Sequence, residues 1–210
     1  KGALNAWWAQ VNEWRKRDCL AYKKSSEVIK PQYVVDTLWQ LTKDRDTYIT
    51  SDVGQHQMWA AQFCKTTGNR QWITSGGAGT MGFGWPAAIG AKLGRPDSEV
   101  WAVVGDGGFQ MTMSELATAA VNKVAARCLI INNNYLGMVR QWQELFYENR
   151  LSGVDLEGNP DFVKLAEAYG IKALRITRPG DVDRKLKEAR AWNEGPVVVV
   201  AEVIKEDNVF

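Results

Sequence analysis

The sequence predicts an α/β domain, a parallel sheet flanked by helices on both faces, preceded by an N-terminal helical linker segment. Three observations carry this. Short apolar, β-branched runs recur between residues 47 and 203, helical patterns fall between most of them, and the two most unusual polar motifs each stand directly after such a run. Those motifs are Gly105-Asp106-Gly107 and Asn132-Asn133. Strands separated by helices read as βαβ units, and sheets of that kind bind ligands at the carboxyl ends of their strands.

In chain order, residues 3–17 have a helical pattern in which Trp7, Trp8, Val11 and Trp14 form an aromatic stripe that expects a partner surface. Residues 18–30 are polar and basic, so residues 1–30 read as a linker from a preceding domain and residues 31–210 as the domain proper. Pro31 suits a first helical turn, and Val34, Val35, Leu38 and Leu41 supply that helix's apolar face. Strands are expected at 47–50, 71–74, 100–104, 128–131, 173–176 and 197–203. Helices are expected at 57–63, 82–93, 112–122, 162–169 and 182–192. Tyr147 to Pro160 is the one long polar connection, a candidate lid if it lies near a site.

Composition narrows the function. The chain has 210 residues, enough for a core that buries about 70% of the unfolded surface. Its net charge is +2, and Arg15-Lys16-Arg17 and Lys23-Lys24 read as a solvated face rather than a nucleic-acid groove. Cys19, Cys64 and Cys128 are too widely spaced for zinc or redox pairing and fit a reducing compartment. His56 is the only histidine, which excludes a multi-histidine metal centre. No apolar run approaches the ~20 residues of a membrane span. The chain starts without methionine and without a signal or transit pattern, and is expected to be part of something longer.

Asp106 and Asn133 lie 27 positions apart, each after an apolar run. A carboxylate and an amide oxygen delivered from neighbouring strand ends suit a hard cation such as magnesium, which keeps one or two protein carboxylates when phosphates complete its shell of about six oxygens. Glycines beside Asp106 would let the backbone approach a diphosphate closely. A rival reading uses Gly77-x-Gly79-x-x-Gly82, the spacing of a dinucleotide fingerprint, with Asp106 as the ribose-binding acid of a nicotinamide oxidoreductase. That reading leaves Asn132-Asn133 unexplained. In the segment 52–57 (DVGQHQ), Gln55 and His56 near a helix N-terminus are candidate donors to an anion.

These residues also carry a resemblance. The GDG and NN pair at this spacing resembles the thiamine diphosphate motif, and SDVGQHQMW, SGGAGTMGFGWPAAIG and GMVRQWQELFYENR closely resemble acetohydroxyacid synthase, also called acetolactate synthase. The likeness runs from about Pro31 to Val203 and covers the carboxyl-terminal third of that enzyme. It implies the thiamine diphosphate-binding fold and magnesium held by Asp106, Asn133 and the main-chain carbonyl of Tyr135. It implies cofactor contacts from Val53, Gly54, Gln55 and His56, from Gly105, Gly107 and Gly108, and from Gly137 and Met138. The backbone of Gly79 matches the group that meets the aminopyrimidine, and Met81 the apolar wedge that bends the cofactor. Met138, Val139 and Trp142 match positions at the substrate and inhibitor entrance.

The implied reaction joins pyruvate to a second 2-keto acid with loss of carbon dioxide, giving acetolactate or acetohydroxybutyrate for branched-chain amino acid synthesis. Ala78 and Trp85 stand where that family commonly has leucine. The family's activating glutamate and FAD belong to amino-terminal and middle domains that these segments do not match, so no catalytic residue is assigned here. The chain alone is expected to bind cofactor without turnover. The resemblance further implies a homodimer or tetramer, a possible regulatory subunit, and a cytoplasmic setting (mitochondrial or plastid in a eukaryote). Other thiamine diphosphate decarboxylases or lyases are the nearest alternatives.

Overall fold

A computed structural model describes residues 2–66, 68 and 71–209. Among these residues six parallel strands, β1 (Thr47–Ser51), β2 (Trp72–Ile73), β3 (Glu99–Gly105), β4 (Arg127–Asn132), β5 (Lys172–Ile176) and β6 (Val197–Glu202), form one sheet in the order β2-β1-β3-β4-β6-β5. The expected strands are all present. The helices are α1 (Gly2–Arg15), α2 (Pro31–Thr42), α3 (Gln55–Phe63), α4 (Gly84–Gly94), α5 (Asp106–Thr112), α6 (Glu115–Val121), α7 (Gly137–Phe146), α8 (Phe162–Ala168) and α9 (Val182–Ala191).

Strands β3 and β4 are buried along their whole length, which is why their sequences run apolar without polar alternation. Alternate side chains instead feed two cores. Trp101 and Val103 of β3 join Leu38, Trp59 and Leu186 on the face covered by α2, α3 and α9. Val100, Ala102 and Val104 join Trp85, Leu116 and Phe162 on the face covered by α4, α6 and α8. The chain leaves β1 for β2 on one side and returns to β3 on the other, so the strand order reverses between β1 and β3. A crevice opens at the carboxyl ends of strands where such a reversal occurs.

Four features depart from the sequence reading. The helix expected at 112–122 is two helices, because α5 begins at Asp106 itself. Two glycines after Asp106 read as a turn, since glycine weakens a helix by about 1 kcal/mol, yet the acid at the N-terminus favours the helix dipole. Helix α7 is not among the expected helices, although Met138, Trp142, Leu145 and Phe146 recur at helical spacing; it is inverted, burying Arg140 and Gln141 while Trp142, Leu145 and Phe146 stay exposed. Residues 18–30 are not wholly a free linker, because Ile29 is buried, the Ile204 N–H donates to its carbonyl at 3.0 Å, and Leu20 and Tyr22 pack on the first core. The connection 147–160 is pinned down: Asp155 forms an antiparallel bridge with Tyr135.

Helix α1 buries none of its residues, and Trp7 meets Trp14 edge-on at 5.5 Å along its exposed stripe. Among the described residues no helix is long and apolar enough to cross a membrane.

Candidate functional site

The crevice between β1 and β3 holds a cleft of about 120 Å³. Three segments wall it, each starting where a strand ends. After β1 come Val53, Gly54, Gln55 and His56; after β3, Gly105, Asp106, Gly107 and Gly108; after β4, Asn133, Tyr135, Gly137, Met138 and Val139. Met81 reaches the same cleft from the glycine-rich loop between β2 and α4. Fourteen of the sixteen residues singled out from the sequence therefore converge. Gly79 and Trp142 do not line the cleft: Gly79 caps a short 3-10 turn on an exposed loop with φ near +59°, and Trp142 is half exposed on α7. Trp59, Ile131 and Leu136 line it without having been singled out, since each resembles core filler in sequence.

Asp106 is 1% exposed. Burial pushes its carboxyl up to about 6, against hydrogen bonds from Asn159 and the main-chain N–H groups of Gly107 and Asn134, and no cation is among the groups supporting its charge. A carboxylate so placed gains from a bound cation. Among the described residues no three His, Cys, Asp or Glu side chains cluster, so the protein offers one carboxylate and neutral oxygens here rather than a closed metal cage. The two neighbouring asparagines divide the work. Asn132 ends β4 and donates to Glu202 at 2.6 Å, a bond within the sheet. Asn133, one residue on, turns into the cleft, donating to Gln55 Oε1 at 3.3 Å and accepting the Tyr135 N–H at 3.1 Å, which leaves its Oδ1 a second lone pair.

His56 is buried beside Gly105, and burial lowers it to about 4 against the opposing pull of the Asp52 carboxylate and main chain. It is neutral at pH 7, and its Nε2 has no partner among the described residues. Gln55 donates to Gln141 at 2.9 Å and to the Asp207 carbonyl at 3.1 Å, tying the start of α3 to α7 and the carboxyl-terminal strap.

The glycines around Asp106 serve the protein before they serve any ligand. A Cβ on Gly105 would lie 2.6 Å from His56 Nδ1, and one on Gly108 would lie 2.2 Å from Asp52 Oδ1. The expectation that they simply admit a diphosphate is therefore incomplete: side chains of the first segment already fill the space beside them. Asp52, at the head of the segment 52–57, is a residue that the sequence reading misses. Its buried carboxylate accepts N–H groups of Val53, Gly82 and Gly84 at 2.9, 3.0 and 2.8 Å, fastening the glycine-rich loop to the end of β1. An aspartate directly after a strand and ahead of a glycine-rich loop is the signal that could have found it. Asn159, on the far side of the long connection, donates to Asp106 at 2.7 Å and had no sequence signal at all.

Residues 52–201 match the family described as thiamine pyrophosphate enzyme, C-terminal TPP binding domain. The chain is 51% identical over 186 residues to the acetolactate synthase isozyme 3 large subunit of Escherichia coli (strain K12), covering 89% of this chain and 32% of that protein. It is 44% identical over 207 residues to the acetolactate synthase large subunit of Haemophilus influenzae, covering 99% and 36%, and 50% identical over 198 residues to the acetolactate synthase of Mycobacterium bovis, covering 92% and 32%. It thus spans about a third of the length of the curated relatives it matches. The matched span contains all three strand ends that wall the cleft, and the chain belongs to the thiamine pyrophosphate enzyme family, as its C-terminal TPP binding domain.

Proposed function

We propose that this chain anchors the diphosphate of thiamine diphosphate through magnesium, as part of an enzyme that condenses pyruvate with a second 2-keto acid to acetolactate or acetohydroxybutyrate. The observation that carries the reading is the convergence of Asp106, Asn133 and Tyr135, from two different strand ends, on one cleft at the strand-order reversal. Asp106 and Asn133 Oδ1, with the Tyr135 carbonyl, would hold the cation. His56 Nε2 has no partner among the described residues; with the other ring nitrogen bonded to the Asp52 main chain, it would donate to a phosphate oxygen as the imidazolium, the form a bound diphosphate favours. Met81 would give the cofactor an apolar support, and Met138 and Val139 would shape the adjoining wall. When bound, thiamine diphosphate supplies the nucleophilic carbon and electron sink for joining keto acids.

The chain's own residues bind and orient. The resemblance assigns the group that moves protons at the aminopyrimidine to residues outside this chain, along with FAD, the subunit contacts and any regulatory partner; among the described residues no glutamate lines the cleft. General acid–base help of this kind is typically worth about 10²–10⁴-fold, and the isolated chain is expected to form no measurable acetolactate. Free, buried Cys64 and Cys128 fit a reducing compartment, which the resemblance would make the cytoplasm or, in a eukaryote, a mitochondrion or plastid.

The test is titration calorimetry of the chain with thiamine diphosphate, with magnesium and in chelator. Binding is expected only with magnesium, and Asp106→Ala is expected to remove it. Equal affinity in chelator would sink the metal bridge.

A further inference from the structure

We propose that Asn159 is a positioning residue for the cation site, and that the connection 147–160 is a strap joining the two ligand-bearing segments. This rests on the reading of Asp106, Asn133 and the Tyr135 carbonyl as cation ligands. Asp106 follows β3 and Tyr135 follows β4, and the strap grips both. On one side, the Leu136 N–H donates to the Val154 carbonyl at 2.8 Å and the Leu156 N–H to the Asn134 carbonyl at 2.9 Å, so Tyr135 is held between two paired residues. On the other, Asn159 Nδ2 donates to Asp106 Oδ2 at 2.7 Å and to Asn134 Oδ1 at 3.3 Å.

The direction of the Asn159 amide is set by its neighbour. Gln110 Nε2 on α5 donates to Asn159 Oδ1 at 2.7 Å, which turns the Nδ2 donor toward Asp106. Were the amide reversed, an oxygen would face the buried carboxylate. The residue is itself anchored: its N–H closes a turn on the Leu156 carbonyl at 3.1 Å, and Asp161, two residues on, caps α8 through the N–H groups of Val163 and Lys164. Asn159 holds Oδ2 of Asp106, and main-chain N–H groups of Gly107 and Asn134 also face the carboxylate, so its orientation is fixed before any cation arrives. Groups that orient a metal's carboxylate ligand typically alter metal affinity by about 10–100-fold when removed.

Manganese(II) serves as the probe, because its free ion is read directly by electron paramagnetic resonance. It is titrated into the full chain with saturating thiamine diphosphate. Asn159→Leu, which keeps the size and loses the donor, is expected to weaken manganese by about 10–100-fold while thiamine diphosphate affinity at saturating manganese moves less than about threefold. Gln110→Glu leaves Asn159 intact but offers its amide an acceptor instead of a donor; it is expected to reproduce the same split, and it stands in if Asn159→Leu does not fold. Unchanged manganese affinity in these variants overturns the inference. So does equal weakening of cation and cofactor, which marks a merely structural role. If the unmodified chain shows no cation-dependent binding, the diphosphate reading fails and the inference with it; only in that case does the parent chain itself fall short.

Discussion

Asp52 and Gly84, 32 residues apart in sequence, are joined by a 2.8 Å hydrogen bond from the Gly84 N–H to Asp52 Oδ2. Gly84 is the first residue of α4, so the carboxylate fastens a helix start to the end of β1, and the glycine-rich loop bearing Met81 is held beside the cleft. Removing the carboxylate leaves the N–H groups of Gly82 and Gly84 buried without a partner, at about 1–3 kcal/mol for each such group. Asp52→Ala is therefore expected to destabilise the chain by about 3 kcal/mol in urea unfolding, with Asp52→Asn less damaging. A loss under about 1 kcal/mol would show that this carboxylate does not hold the loop.

Gly108→Ala brings a methyl group against the same carboxylate, where the site for Cβ is 2.2 Å from Asp52 Oδ1. Overpacking of this kind costs about 1–3 kcal/mol. Asp52→Ala in the same chain removes the obstacle, so the double variant should be less destabilised than the sum of the two singles, by at least about 0.5 kcal/mol. Strict additivity in that cycle would contradict the contact.

His56 makes stability depend on pH. Its folded value is about 4 and its ordinary value 6.5, so between these the unfolded chain binds more protons. The stabilisation is complete above 6.5 and is lost as pH falls through 6.5 toward 4, amounting to about 3 kcal/mol at about 1.4 kcal/mol per pH unit. Buried Asp106, raised to about 6, titrates in the opposite sense, so the measurement belongs in Asp106→Asn. Chemical unfolding of that variant from pH 7 to 4 should show the fall, and adding His56→Gln should flatten it. A flat profile with His56 present would mean that the imidazole is charged or hydrated in the folded chain.

The glycine-rich loop should not take up a nicotinamide dinucleotide. A dinucleotide fingerprint needs its glycine turn and its ribose-binding acid on adjacent strands of one βαβ unit, and here β1 lies between β2 and β3. NADH fluorescence is expected to stay unchanged on mixing with the chain. A saturable rise that weakens in Asp106→Asn would restore the oxidoreductase reading.

The strands, the two-faced sheet and the Asp106 and Asn133 pair could be read from residue order alone, whereas most of the other cleft residues came from the family resemblance. Continuous apolar runs such as Val197 to Ala201 admit few settings other than a sheet covered on both faces, and polar motifs directly after such runs mark strand ends. Local chemistry likewise identified Asp106 and Asn133, because carboxylate and amide oxygens at strand ends are uncommon without a use. Tertiary structure alone decided what those residues meet. The strand order set β1 between β2 and β3, which separates the glycine run from Asp106 as a nucleotide unit yet brings Asp52 from β1 onto that same loop. It turned Asn132 to Glu202 and Asn133 to Gln55, although the two are identical neighbours in sequence. The apolar stripe of α7 is legible in sequence, but not that the helix would bury Arg140 and Gln141 instead, because their partners at Gln55 and at 205–209 lie far along the chain. Asn159 stayed hidden for the same reason: a hydrogen bond across 53 residues has no periodicity, and its donor and acceptor become visible only once the chain has folded back on itself.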